Sequence, residues 1–169
     1  PGLGNRIIGK LLEIDFGALE REDQLALLRA YSLCLIRMEV ESSELTTAVA
    51  AKLEAFYPAE DEDLNTELCR LLCFLESPNV VKKTIGLMKV TQTKTLAYNK
   101  EMLGRHEYGK AILKAMANTP NSQNIQYAYS LRRVQKGWTL DDRKYFFGWL
   151  KDTLLKSGGQ SFDGYVRAI

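Results

Sequence analysis

The sequence predicts an all-α fold, an α-solenoid built of HEAT- or armadillo-like helical hairpins, and three observations support this prediction. Apolar residues recur every three to four positions over long stretches, which is the period of one face of an α-helix. The chain has only 4 Pro and 12 Gly in 169 residues, fewer than the turns of a small all-β domain require. A Ser-Pro-Asn corner at residues 77–79 recurs 42 residues later as Thr-Pro-Asn at 119–121, and a period of about 40 residues is typical of paired-helix repeats.

Capping residues and prolines divide the first half of the chain into helices. We expect helices over residues 3–16 and 20–38. In the second helix, Leu25, Leu28, Leu33 and Ile36, with the interleaved Ala26, Leu27 and Ala30, form a broad apolar face. Ser43 is expected to cap a third helix that Pro58 ends. The acidic run 60–63 opens a fourth, because Asp61 or Asp63 stabilises the positive end of the helix dipole.

The two corners and a capping sequence divide the second half. We expect Ser77 to cap a fifth helix with Pro78 as its first residue, where the missing N–H costs nothing. Residues 91–103 are ambiguous. Further helices are predicted over 109–118, over 122–134, from the Thr139 cap along Leu140, Phe146, Trp149, Leu150 and Leu154, and from Ser161 to Ile169. The predicted core includes Leu68, Leu71, Leu72, Tyr127, Leu131, Phe146 and Trp149.

Length and composition indicate one globular domain over residues 1–169. Apolar residues make up 46% and charged residues 26%, which excludes disordered and collagen-like chains. No apolar run reaches the length of a membrane span, so we expect no transmembrane helix. Because the chain begins with Pro1, we expect it to be a fragment of a larger protein.

Charge is distributed unevenly along the chain. Residues 1–79 contain 7 Lys/Arg and 15 Asp/Glu, a balance of −8, whereas residues 80–169 contain 16 and 6, a balance of +10, and together these give the net charge of +2. Such asymmetry can steer a polyanion or an acidic protein to one end of the chain, or let copies associate head to tail. The alternative is that neighbouring segments of a longer protein balance it.

Several stretches also resemble a known helical-repeat region. They are residues 67–72, 75–84, 125–132, 137–146 and 158–165. They are similar to part of large exported planctomycete-type proteins described as membrane-bound dehydrogenase-like or haem-binding proteins, over roughly residues 64–169. The resemblance implies a helical-repeat role between a β-propeller and a c-type haem domain, and an exported or periplasmic location. The chain has no Cys-x-x-Cys-His motif, so the redox residues of that family have no positions here.

Few residues offer catalytic or metal chemistry. His106 is the only histidine, and a general base needs an orienting partner that its neighbours do not supply. Cys69 and Cys73 could share a helix face, but they are two of the four ligands of a structural zinc site. Gly158 and Gly159 are better explained as a helix stop than as an anion-binding loop. We therefore expect no enzyme activity, no metal, no cofactor and no small-molecule substrate; the free cysteines leave a cytoplasmic location open.

The candidate interaction surface is a cluster of basic and aromatic residues. It consists of Arg132, Arg133, Lys136, Trp138, Arg143 and Lys144. The sequence predicts a non-catalytic scaffold that binds a protein or a neighbouring domain, with these residues meeting an acidic surface. The alternative is a nucleic-acid-binding repeat, similar to HEAT-like DNA glycosylases, because basic groups interleaved with aromatics also suit phosphates and bases.

Overall fold

A computed structural model describes residues 2–38, 40, 42–103, 119–156, 164 and 166–169, with the backbone alone over 92–103. In this part of the chain the secondary structure is helical, without strands, which confirms the all-α prediction there. The α-helices are α1 (Leu3–Glu13), α2 (Arg21–Arg37), α3 (Ser43–Glu54), α4 (Glu62–Phe74), α5 (Val80–Leu103), α6 (Ser122–Leu131) and α7 (Leu140–Leu154), and a 3₁₀ turn spans Phe16–Ala18. The ambiguous segment 91–103 continues α5. The helix predicted over 109–118 lies outside the described residues.

The chain forms two compact units. Unit 1 contains residues 1–80 and the short segment 133–136, and unit 2 contains residues 81–132 and 137–169. The first boundary almost coincides with the change of charge after residue 79. Unit 1 is therefore built mainly from the acidic half of the sequence and unit 2 from the basic half.

Four helices make the core of unit 1. Helix α1 packs against α2 and α3, and α4 packs against the same two helices. The residues that fill the space between them are apolar and almost wholly buried: Ile8, Leu28, Tyr31, Val49, Leu53, Leu68 and Leu72. Burying one such side chain contributes about 1.5–3 kcal/mol to folding. Lys52 of α3 adds a polar link, because its ammonium donates to the Leu12 carbonyl at 2.8 Å near the end of α1.

Two side-chain caps set the helix starts in unit 1. The Ser42 hydroxyl accepts from the Leu45 N–H at 3.3 Å, so the cap lies one residue before the predicted Ser43. Asp61 accepts from the Leu64 N–H at 2.9 Å and caps α4, as one of the two predicted acidic residues. Arg21 at the start of α2 binds Asp61 at 2.9 Å, and this contact holds the pKa of the Asp61 carboxyl below its ordinary value.

The end of α4 differs from the predicted corner. The N–H of Ser77 donates to the Leu72 carbonyl at 2.9 Å and that of Glu76 to the Cys73 carbonyl at 3.2 Å, which is the pattern of a Schellman motif. The Ser77 hydroxyl donates to Glu54 instead of capping α5. Helix α5 begins at Val80, so Pro78 precedes it rather than occupying its first position.

Glu76 occupies the left-handed position of this motif, with φ of 49°. Glycine is the usual residue there, because a Cβ costs free energy at positive φ. We expect Glu76→Gly to stabilise unit 1 by about 0.5–1 kcal/mol, the relieved strain exceeding the added chain entropy. Urea denaturation measures this. Glu76→Ala is the matched control, since it removes the carboxylate but keeps the strain; an equal gain from both changes would contradict the explanation.

Unit 2 contains α5, α6 and α7. Its buried side chains include Ile85, Met88, Ile125, Tyr127, Leu131, Phe146 and Trp149. The Asn124 amide of α6 donates to the Met88 carbonyl of α5 at 3.0 Å. Asn121 caps α6 by accepting from the Asn124 N–H at 2.9 Å, so this helix also begins two residues after its proline. Thr139 caps α7 as predicted, and it forms a capping box with Asp142. All seven predicted core residues are buried.

Candidate functional site

A groove lies between α2 and α4 on the surface of unit 1. It has a volume of about 440 Å³, within the usual range for ligand pockets. Helix α2 contributes Leu25, Arg29, Ser32, Leu33, Leu35 and Ile36, and helix α4 contributes Glu67, Arg70, Leu71 and Phe74. We call this set the α2–α4 groove.

Large apolar side chains in the groove face solvent. Ile36 is 71% exposed, Phe74 is 60% exposed and Leu33 is 40% exposed. Leu33 and Ile36 were predicted on the broad apolar face of this helix, and the prediction that they are buried with it is wrong. The buried stripe is Leu27, Leu28, Tyr31 and Cys34. Exposed apolar patches of this kind, rimmed by charged residues, are typical of binding surfaces.

Charged side chains border the groove on both helices. Arg70 donates to both carboxylate oxygens of Glu67, at 2.9 and 3.1 Å, and this pair stays on α4. Arg29 is exposed on α2, one turn before Leu33. One guanidinium therefore borders the groove on each helix, Arg29 on α2 and Arg70 on α4. The Arg70 guanidinium is hydrogen-bonded to Glu67.

The predicted basic cluster does not form one site within either unit. Arg133 and Lys136 belong to unit 1, whereas Arg132, Trp138, Arg143 and Lys144 belong to unit 2. Lys136 lies 3.9 Å from the Glu76 carboxylate. Exposed pairs of this length contribute little to stability.

In unit 2 the basic residues of the cluster lie against aromatic rings and nearby polar groups. Arg132 lies over the Tyr129 ring at 3.7 Å and donates to the Ala168 carbonyl. The Arg143 guanidinium lies over the Trp138 ring at 5.8 Å, a cation–π distance. Lys144 lies 3.8 Å from Asp141, one turn away on α7.

Trp138, the aromatic member of the cluster, packs against a core aromatic residue of unit 2. Trp138 meets the Phe146 ring edge-on, with centroids 5.3 Å apart. Phe146 and Trp149 are buried and Trp138 is half-buried. These rings therefore contribute to the packing of unit 2, as the core spacing of Phe146 and Trp149 indicated.

The outer face of α7 carries large apolar residues that are exposed. Leu140, Phe147 and Leu154 are 68%, 60% and 57% exposed. Leu140 and Leu154 were expected on the buried stripe, and that prediction is wrong. Phe146, Trp149 and Thr153 form the buried side of the helix instead.

All three cysteines are free and buried. The Cys69 and Cys73 sulfurs are 3.9 Å apart on α4, so the predicted shared face is confirmed. The hydrogen bond with Cys69, together with burial, raises the pKa of the Cys73 thiol, and burial raises that of Cys34. Across the described ranges no three His, Cys, Asp or Glu side chains gather in a possible metal site. His106, Gly158 and Gly159 lie outside those ranges.

Neither a membrane-spanning helix nor a related protein identifies what these surfaces bind. Within the described helices, none has the length and apolar character to cross a membrane. No protein-family model, curated protein or solved structure matches the chain.

Proposed function

We propose that this chain is a non-catalytic helical-repeat scaffold that binds a partner polypeptide, and that the α2–α4 groove is a contact surface. The observation that carries the proposal is the convergence of Leu33, Ile36 and Phe74, which two adjacent helices expose in one groove. A groove between paired helices suits the apolar face of an amphipathic helix, whose anchors recur at i, i+3, i+4 and i+7.

The helix pairing in unit 1 supports the repeat part of the proposal. Helices α1 and α2 form a first pair and α3 and α4 a second; the first members of the pairs contact each other, and so do the second members. This is the contact pattern of hairpins stacked in an α-solenoid. The groove then lies between the second helices of successive hairpins, a surface that repeat proteins commonly use for binding.

The non-catalytic part of the proposal rests on the state of the thiols. The raised pKa values of Cys34 and Cys73 keep these groups protonated at neutral pH, and the thiolate is the nucleophilic form. In the wider context, the resemblance to exported dehydrogenase-like proteins leads us to propose that the scaffold organises neighbouring domains in a larger, exported protein. Its redox chemistry would then belong to those domains.

Selection from a displayed library of random peptides of about 16 residues tests the groove. We expect enriched peptides to carry apolar anchors at helical spacing. We expect Ile36→Asp combined with Phe74→Asp to weaken their binding by more than about tenfold, because both positions are central and exposed. Leu3→Asp is the matched control, since Leu3 is an equally exposed apolar residue of unit 1 outside the groove. Peptides that bind the wild type and the double variant equally would contradict the proposal.

The second candidate function, nucleic-acid binding, is favoured by one observation in unit 2. Arg132 and Arg143 each lie over an aromatic ring, which combines positive charge with stacking surface. Labelled duplex and single-stranded DNA at a series of salt concentrations distinguish the two functions. A scaffold shows no binding at physiological salt, whereas a nucleic-acid-binding repeat loses affinity linearly with the logarithm of salt concentration.

A further inference from the structure

We infer that the outer face of α7 is a second interaction surface, which docks an acidic amphipathic helix of a partner protein. The surface is built on Leu140, Phe147 and Leu154, which we call the outer stripe. It lies in unit 2, and the inference does not depend on the α2–α4 groove of unit 1.

The three residues of the outer stripe have the spacing of a helix–helix contact surface. Leu140, Phe147 and Leu154 are seven residues apart, close to two helical turns, so their side chains form one column along α7. Arg143 lies three residues after Leu140, and Leu150 lies three residues after Phe147. Arg143 and Leu150 are therefore also seven residues apart. The alternation of three and four is the a and d pattern by which one helix packs along another.

Two lysines lie along one side of the outer stripe. Lys144 and Lys151 are also seven apart and follow the apolar column by four residues, which turns them by about 40° around the helix. In a paired helix, such flanking positions meet the flanking charges of the partner and set its identity. The opposite flank carries Phe146 and Thr153, which are buried within unit 2.

The acidic residues of α7 do not neutralise this flank. Asp142 is held in the capping box with Thr139. Asp152 is exposed but follows Lys151 by one residue, so it points about 100° away around the helix. The Asp141 carboxylate lies 3.8 Å from Lys144, but both side chains are largely exposed, at 93% and 68%. A carboxylate of a partner can readily replace Asp141 beside Lys144, because exposed ion pairs are weak. Lys144 and Lys151 therefore present a basic edge beside an apolar column, with Arg143 on the other side of the column. A partner helix with Leu-type anchors and flanking Glu complements both the edge and the column.

An acidic helix fits this surface better than a lipid surface does. Helices that lie in a membrane interface expose a broad apolar face, whereas α7 buries one flank in its own unit and carries lysines directly beside the stripe. Along most of α7 the exposed apolar strip is a single column, and Leu155, which is 77% exposed, lies beside it only at the end of the helix.

A designed peptide of three heptads tests the inference with the intact chain. One version has Leu at a and d and Glu at the flanking e and g positions, and a second has Lys at e and g. We expect the Glu peptide to bind at least about tenfold more tightly at low salt by fluorescence anisotropy, with the difference shrinking as salt rises. Phe147→Ala should weaken the Glu peptide by about tenfold, and Lys144→Glu with Lys151→Glu should reverse the preference.

Controls separate this surface from the others. Ile36→Asp with Phe74→Asp should leave binding of the Glu peptide unchanged, since those residues belong to unit 1; loss of binding in that variant would assign the peptide to the groove and overturn the inference. Equal binding of the two peptides would also overturn it. Two other outcomes would overturn it if neither peptide binds. One is binding of phosphatidylserine vesicles that Phe147→Ala abolishes. The other is self-association of the chain in sedimentation experiments that Phe147→Ala abolishes.

Discussion

Leu72→Ala is expected to destabilise unit 1 by about 2–5 kcal/mol, because truncation of a buried leucine loses its transfer free energy and leaves a cavity. Leu72 is fully buried in α4, the helix that packs against both α2 and α3. Urea denaturation should show a lower midpoint with little change in slope.

Phe74→Ala is the matched control in the same helix. Phe74 is larger than Leu72 but exposed in the α2–α4 groove. We expect its truncation to change the free energy of unfolding by less than about 0.5 kcal/mol, as at other exposed positions. Equal losses at the two positions would mean that α4 is rotated relative to the packing described above.

Local signals in the sequence predicted the helices and many of their caps. Asp61, Thr139 and Asp142 act where the capping rules place them, because a cap depends on residues within one turn. Prolines were less informative. Residues 78 and 120 each precede their helix by two positions, since Asn121 caps α6 and the Ser77 hydroxyl is engaged by Glu54.

The buried face of α2 could not be predicted from its pattern. Apolar residues surround this helix on nearly every side, so several stripes fit the helical period equally well. The packing against α1 and α4 selects the stripe that contains Tyr31 and Cys34, and this leaves Leu33 and Ile36 in the groove. Tyr31 was not included in the predicted apolar face, although the residue is wholly buried. Its burial raises the pKa of its hydroxyl to about 12.

The groove and the basic cluster also depend on tertiary structure. Phe74 meets Ile36 only because α2 and α4 pack side by side, and no local rule pairs residues so far apart in the sequence. The basic residues 132–144 are close in sequence, but the chain passes from unit 2 to unit 1 and back within that stretch. Proximity in sequence alone therefore does not predict which of these residues belong to the same compact unit.

Phe146 and Phe147 provide the sharpest contrast in unit 2. Phe146 is buried, and its ring lies 5.3 Å from Trp138 and 6.5 Å from Trp149, centroid to centroid. We expect Phe146→Ala to destabilise unit 2 by about 3–5 kcal/mol, because it removes a large ring from an aromatic cluster and leaves a cavity. Thermal and urea unfolding of the variant measure this loss.

The neighbouring substitution should have the opposite pattern of effects. Phe147 belongs to the exposed outer stripe, and its ring lies 5.6 Å from that of Phe146, centroid to centroid. Phe147→Ala is therefore expected to change stability by less than about 1 kcal/mol, while it weakens binding of the acidic heptad peptide by about tenfold. Phe146→Leu, which keeps the site apolar and partly filled, should leave peptide binding close to that of the wild type. If Phe147→Ala instead destabilised unit 2 as strongly as Phe146→Ala, the outer stripe would be part of the core and no partner would be needed to explain it.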